Sequence, residues 1–458
     1  MLMDIKNAKK VKLGDVSIDD LGVYAADTKV LQVEFEHSID PNLFLEYCAS
    51  PMLVPLREDA VNKDTDWSTN VSILVTNGPF TVRTFVPVRS SSNKQDKQLV
   101  LERNIYFRRD VENDSVKKYV TPYRLTVDYE NSADAALTSY EDGNTPFIGY
   151  ISLSQRAEYA DKVELNDTMS THTYVFNTRI APFDNADVRR ALSLAIDRNA
   201  IVDIVKFAKA ASGFVCEGVT DANKKTDFRE VGGTLIDASA NMTEAKNLIS
   251  KANVKNKSFT ITIRPNEVDR AVAEYCSKVW GELGFNVKIR ELSITRYESE
   301  KEYLLYADDF MTAYNAKDFD VIAIDWQAAS TDAWSVLAPF AVTYSGSALD
   351  LSSGVYEYQP HISGYNSEAY NAVIEEISQL KTKAERAEKL HEAEKILSED
   401  MPVMPLFVYQ DAYLIASDLK KVSTNPLGYF QFKKANYKGY VEAVESIASE
   451  NVGEETDK

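Results

Sequence analysis

Apolar and polar positions alternate most legibly in the middle of the chain. In Phe259-Thr260-Ile261-Thr262-Ile263 an apolar side chain recurs at every second residue, the period of a strand. Val268, Ala271, Val272, Tyr275, Cys276, Val279, Trp280 and Leu283 then recur at three- and four-residue spacing, which predicts a helix, and Gly284 supplies its stop. Phe285 to Leu292 alternates again. A second helix is predicted from about Tyr297 to Ala316, and Asp320-Val321-Ile322-Ala323-Ile324-Asp325 reads as a short buried strand. Strand, helix, strand, helix, strand predicts a parallel α/β layer with right-handed crossovers.

On either side the pattern is mainly helical. Asn185 to Lys206 predicts one helix with Val188, Ala191, Leu192, Ala195 and Ile196 on its buried face and Asn185 or Asp184 as cap. Helices are predicted from about Ser367 to Lys381 and from Lys383 to about Glu399, the second with a narrow apolar stripe of Ala387, Leu390, Ala393 and Leu397. Pro402 and Pro405 end this region, and Leu406 to Tyr409 reads as a strand. Near the start, Val30 to Glu36 predicts a strand and Pro41 to Ala49 a helix. Residues 441–458 form an acidic, solvated tail.

Ligands of open α/β sheets sit outside the carboxyl ends of the strands. That end of the third strand is Asp325-Trp326-Gln327. The following stretch, to about Gly364, lacks clear periodicity and carries Asp332, Trp334, Phe340, Tyr344, Tyr356, Tyr358 and His361. A long aperiodic segment inside a compact domain is more often functional than not. Asp325, Trp326, Gln327, Trp334, Tyr344, Tyr356 and His361 are therefore candidate ligand contacts.

Composition narrows the function classes. At roughly 150 residues per domain, 458 residues suggest about three domains or lobes. With 51 Lys and Arg against 70 Asp and Glu, the formal charge of −19 argues against nucleic acid or an anionic membrane as partner. Seventeen glycines are few for phosphate-cradling loops, while 25 tyrosines suit a cleft as well as a core. Cys48, Cys216 and Cys276 lack metal-site spacing and allow at most one disulfide. The start shows no apolar signal core, and no run of about 18 apolar residues predicts a membrane span. The motifs GxSxG, HExxH, GxGxxG and GxxxxGK[ST] do not occur, and His37, His172, His361 and His391 have no ligand spacing. This leans toward binding without catalysis, with no metal or cofactor.

Several short runs resemble a known family. Thr76-Asn77-Gly78-Pro79-Phe80 is similar to the turn motif of family 5 extracellular solute-binding proteins, the oligopeptide receptors of ABC importers, and Leu101-Glu102-Arg103-Asn104 to a step that follows it. Tyr174 to Asn177, Pro182 to Asp184 and Val188 to Arg198 resemble the family's most specific block, and Gly364 to Ser367 and Met401 to Pro405 also fit. The match runs from about Leu21 to Tyr437. Arg189, Arg190, Asp197 and Arg198 read as structural companions of the buried helix face.

The resemblance implies a periplasmic-binding-protein-like α/β fold, two α/β lobes joined by a hinge, with a partial small N-terminal lobe. The expected boundaries are 1–65 for the remnant of the small lobe, 66–212 with 403–440 for lobe I, and 213–402 for lobe II. It implies a monomeric, extracytoplasmic receptor, periplasmic or lipid-anchored as a lipoprotein, that captures extended peptides for the membrane permease subunits of an ABC transporter. Family members begin with a secretion signal and further lobe I sequence, so the chain is expected to be N-terminally truncated. The family carries an Asp for the peptide ammonium where this sequence has Ala329, which leaves Asp332 and Asp325 as the nearest carboxylates. A receptor for another solute such as an oligosaccharide or a chelated metal, a hydrolytic α/β enzyme and a chaperone-like surface protein stay open.

Overall fold

The computed structural model describes residues 2–64, 67–68, 70–85, 98–108, 113–128, 132–298, 304–350 and 355–438. The acidic tail, 441–458, lies outside the described residues. The chain divides into two compact units: residues 1–54, 167–298 and 305–410 in the first, and 55–166, 299–304 and 411–458 in the second.

The first unit is built on one mixed sheet flanked by helices. In chain order its main elements are β1 (Glu164–Phe176), α1 (Ala186–Leu194), α2 (Arg198–Val205), β2 (Ala208–Ala210), β3 (Ser258–Ile263), α3 (Glu267–Glu282), β4 (Asn286–Glu291), β5 (Val321–Gln327), α4 (Glu368–Ser378), α5 (Lys383–Asp400) and β6 (Val403–Ile415). Glu164 to Asn166 and Asp411 to Ile415, the outer ends of β1 and β6, belong to the second unit. The strand order is β4-β3-β5-β1-β6, with β2 pairing β6. β4 runs parallel to β3, and β3 parallel to β5, as the sequence periodicity predicts. β5 then pairs antiparallel with β1. Phe259, Ile261, Thr262 and Ile263 are all buried, so β3 is covered on both faces.

Local chemistry fixes the helix ends. Asn266 caps α3 by accepting from the Asp269 amide, and Gly284 follows the helix at φ 87°, a left-handed turn that glycine adopts without strain. The buried Trp280 indole donates to the Leu192 carbonyl at 2.9 Å and so ties α3 to α1. Thr382 and Glu385 form a capping box at the start of α5.

Three periodicity readings are corrected by the structure. Among the described residues, the predicted helix over Tyr297–Ala316 is helical from Asp309 to Ala316, while Ile294–Glu298 and Leu304–Asp308 are strands of a two-stranded sheet. Apolar spacing could not separate a strand that meets a helix at Asp308, whose side chain caps the new helix through the Met311 amide. The single helix over Asn185–Lys206 is two, because the Asp197 carboxylate accepts from the Asn199 and Ala200 amides and starts a new helix. The aperiodic stretch after Gln327 contains short helices at Trp334–Leu337 and Val342–Ser345 and a hairpin of Gly346–Asp350 with Val355–Gln359. The three cysteines are free thiols, with Cys48 exposed and the other two buried.

Two arginines of the helix block hold backbone. Arg189 reaches the Asp400, Met401 and Phe183 carbonyls, satisfying the end of α5. Arg198, 1% exposed, donates to the Pro405 and Ser193 carbonyls and to the Ser193 hydroxyl. Burial pushes its pKa down to about 10, which leaves it charged at neutral pH.

In the second unit, Phe80–Phe85, Gln98–Arg103 and Arg124–Asp128 form an antiparallel three-stranded sheet. The two motifs of this unit meet: Asn104, 3% exposed, donates its side-chain amide to the Gly78 carbonyl at 2.9 Å, and its own N–H binds the Pro79 carbonyl. A separate aromatic group joins Phe147, Tyr413, Phe430 and Phe432 at centroid distances of 4.9–5.7 Å.

Asp197→Ala should cost about 1 kcal/mol, the loss of a helix cap. Arg198→Met should cost more, about 3 kcal/mol, because it strips donors from buried carbonyls. Urea unfolding of both variants checks the order; a larger loss for Asp197→Ala would contradict the tie between α2 and β6.

Candidate ligand-binding site

The carboxyl end of β5 is half a sheet. β5 pairs with β1 along its whole length, from Val321 opposite Phe176 to Gln327 opposite Ser170. Its pairing with β3 stops after Val321 and Ile322. Ala323 to Gln327 therefore have one edge without a strand partner among the described residues. The backbone of an open edge offers N–H and C=O groups to an added strand.

Side chains around this edge fall into distinct groups. Asp325, on the exposed side of the strand, accepts a 2.7 Å hydrogen bond from His172 Nδ1. His172 is 1% exposed and stacks on Phe407 at 4.7 Å. Burial works against a charged ring, but the hydrogen bond and charge of Asp325, with Asp269 behind it, outweigh that cost, and the pKa of His172 is raised. Trp326 is half-buried and stacks on Phe340 at 5.1 Å, with Phe214 and His361 each at 5.5 Å. His361 is buried and bonded to the Ser363 hydroxyl; burial, helped by Arg179, pushes its pKa down to about 3, so the ring is neutral at neutral pH. The side-chain nitrogen of Gln327 is buried without a hydrogen-bond partner among the described residues.

Asp332, Trp334 and Tyr344 belong to a second group, packed on α5 and on the first 54 residues. Asp332, 1% exposed, accepts from the Trp334 amide at 2.8 Å and pairs with Lys383 at 3.4 Å. Lys383 also binds Glu46 at 2.8 Å. Burial pushes the Asp332 carboxyl up, opposed by the Lys383 ammonium. Trp334 is buried edge-on to Tyr344 at 5.0 Å, with the Arg386 guanidinium 5.5 Å over its ring. The Lys9 ammonium lies 5.1 Å over Tyr344. Tyr356, 44% exposed, stands on the hairpin beside Gly14.

Of the sequence candidates, the structure thus gathers Asp325, Trp326, Gln327 and His361 at the strand end and puts Asp332, Trp334 and Tyr344 in buried contacts of their own. Tyr356 joins neither group. His172, Phe214 and Phe340 line the same strand end. His172 carried no signal as a lone histidine; its partner is 153 residues away. Among the described residues, no group of three or more His, Cys, Asp or Glu is placed to hold a metal, and no helix is long and apolar enough to cross a membrane.

The model of the middle region of bacterial extracellular solute-binding proteins, family 5, matches residues 1–347. The chain belongs to this family. It is 25% identical over 444 residues to the dipeptide-binding protein DppE of Bacillus subtilis, covering 94% of this chain and 73% of that one. It is 23% identical to the oligopeptide-binding protein OppA of the same organism, covering 95% and 74%. Solved structures with the same fold include peptide-bound OppA of Listeria monocytogenes (TM-score 0.74, 19% identity, 95% of this chain and 79% of that chain). The murein tripeptide binding protein MppA of Escherichia coli gives 0.70 at 22% identity, covering 95% and 77%. The expected periplasmic-binding-protein-like fold is thereby established.

Lys383→Met would leave the Asp332 and Glu46 carboxylates buried without their cation, at a cost of about 3–5 kcal/mol at neutral pH. Asp332 already has a raised pKa in the folded state. Folding therefore favours its protonated form, and the variant favours it further. The deficit relative to wild type should shrink as pH falls and Asp332 takes up a proton. Urea unfolding at neutral and acid pH checks this; a deficit that is constant or grows toward acid pH would contradict the assignment.

Proposed function

We propose that this protein captures peptides in extended form and delivers them to the permease of an ABC importer, as a monomeric receptor outside the cytoplasmic membrane, in the periplasm or on a lipid anchor. The reading is of a binding protein and not an enzyme. One observation carries it: among the described residues, the edge of Ala323–Gln327 beside Trp326 has no strand partner and the buried amide donor of Gln327 has no hydrogen-bond partner. An extended peptide can add to that edge through its main chain, which gives affinity with little demand on side-chain identity. The aromatic surface of Trp326, Phe214 and Phe340 suits the apolar parts of variable side chains. The names of the relatives, a dipeptide- and an oligopeptide-binding protein, support the same ligand class.

On this reading Asp325, Trp326, Gln327 and His361 border the ligand. The carboxylate of Asp332 is already engaged by Lys383 and the Trp334 amide, so the proposal gives it no ligand contact. The lobe boundaries proposed from the resemblance, 1–65, 66–212 with 403–440, and 213–402, differ from the contact units, which group residues 1–54 and 167–212 with most of 213–402.

Mass spectrometry of protein purified without added ligand should find bound peptides. Titration with a tripeptide and with its form N-methylated at the central amide should show about tenfold or greater loss on methylation, the effect of one buried hydrogen bond left unmade. Equal affinities would remove strand addition, and carried oligosaccharide in place of peptide would replace the ligand class.

A further inference from the structure

His172 and Asp325 form a pair that peptide capture alone does not require. They lie directly opposite in the antiparallel register of β1 and β5, so both side chains project from the same face. The pair is sealed at one end and open at the other: the His172 side chain is 1% exposed and that of Asp325 53%. Each packed element supplies its own contact to the ring. β5 gives Asp325, bonded at 2.7 Å. α3 gives Asp269, 5% exposed, which acts on the ring through its charge. β6 gives Phe407, stacked at 4.7 Å, and Tyr409, whose hydroxyl is 3.4 Å from Nδ1. β1 itself gives the edge of Tyr174 at 6.0 Å. None of these groups is basic.

The two protonation states of the ring present different surfaces. The neutral ring donates from Nδ1 to Asp325, and its Nε2 is buried without a partner among the described residues. Asp325 then shows a full negative charge at the open strand edge. A proton on Nε2 makes the ring a cation that is compensated by Asp325 and Asp269, and the outward face of Asp325 is neutralised from behind.

We propose that His172 is a positioning residue that fixes the Asp325 carboxylate beside the binding edge, and that the pair receives a positively charged group of the ligand with release of the Nε2 proton to solvent. No bond to the ligand is made or broken. The inference rests on the peptide-capture reading and adds to it a charge preference and a proton linkage. Linkage is reciprocal: a cation at Asp325 lowers the proton affinity of His172, and a proton on His172 lowers the affinity for the cation. The raised proton affinity of the ligand-free ring agrees with this arrangement.

The test is calorimetric titration of the full chain with trialanine, N-acetyltrialanine and Ala-Lys-Ala from about pH 5 to about pH 6.7, a range in which a histidine titrates while a peptide's α-amino group, at about 7.7–8.0, stays protonated. In the wild type, affinity for a cationic peptide should rise with pH by up to about tenfold per unit, the limit for one proton released. His172→Gln keeps a donor for Asp325 without a titrating ring and should bind with a flat pH profile. Asp325→Asn should lose tenfold or more for the cationic peptide and discriminate poorly against the uncharged one. As a measurement independent of variant folding, the ring carbon resonances of His172 should titrate at lower pH once peptide is added. A flat wild-type profile, or a His172 midpoint unmoved by peptide, would overturn this inference while peptide capture stands. Binding of no peptide by the wild type would overturn both.

Discussion

The pairing of β5 with β1 is the constraint on which the rest of the first unit depends. It runs over seven residues of each strand, from Val321–Phe176 to Gln327–Ser170, while the parallel partner β3 stops after Ile322. The same register that buries Tyr174 and Phe176 in the core carries Asp325 and Trp326 past the end of β3. A strand that outlasts one neighbour keeps its hydrogen bonds on one side and exposes them on the other. The open edge at Ala323–Gln327 is therefore a product of unequal strand pairing and needs no special loop.

Buried charge in this protein is spent on backbone and on other charge. Arg189 and Arg198 saturate carbonyls at the ends of α5 and α1 and in β6, where an unpaired carbonyl would carry a desolvation penalty. Asn104 does the same for the turn at Gly78 in the second unit. These are the residues that make the family's sequence motifs recognisable, and they explain why the motifs report the scaffold while leaving the ligand unnamed.

Much of the fold was legible because its signals are local. The period-2 run at Phe259–Ile263, the helix over Val268–Leu283 and the stop at Gly284 each depend on neighbours within a few residues, and the structure reproduces them. The break at Asp197 was local too, but a capping aspartate inside a continuous apolar stripe is outvoted by the stripe. The strand before Asp308 failed for a different reason, since it runs straight into a helix at Asp308 and apolar spacing does not mark the change. Asp325-Trp326-Gln327 was named as a candidate from the rule that ligands sit at strand ends, and the structure adds the open backbone edge there. His172 was not, because its meaning comes from a register set by a strand far away in sequence.

The knot of Lys383, Glu46, Asp332 and Arg386 has a consequence in time as well as in space. Lys383 meets a carboxylate 337 residues earlier in the chain, and Arg386 meets Asp4 and Tyr47. During synthesis the N-terminal segment emerges long before the helix that buries it. Tyr47, buried in the finished protein, can bond Arg386 only once α5 has left the ribosome. Contacts of such separation pay their loop-closure entropy late, and they slow folding. A nascent chain of this kind keeps apolar surface open to other polypeptides for longer than one whose contacts are local.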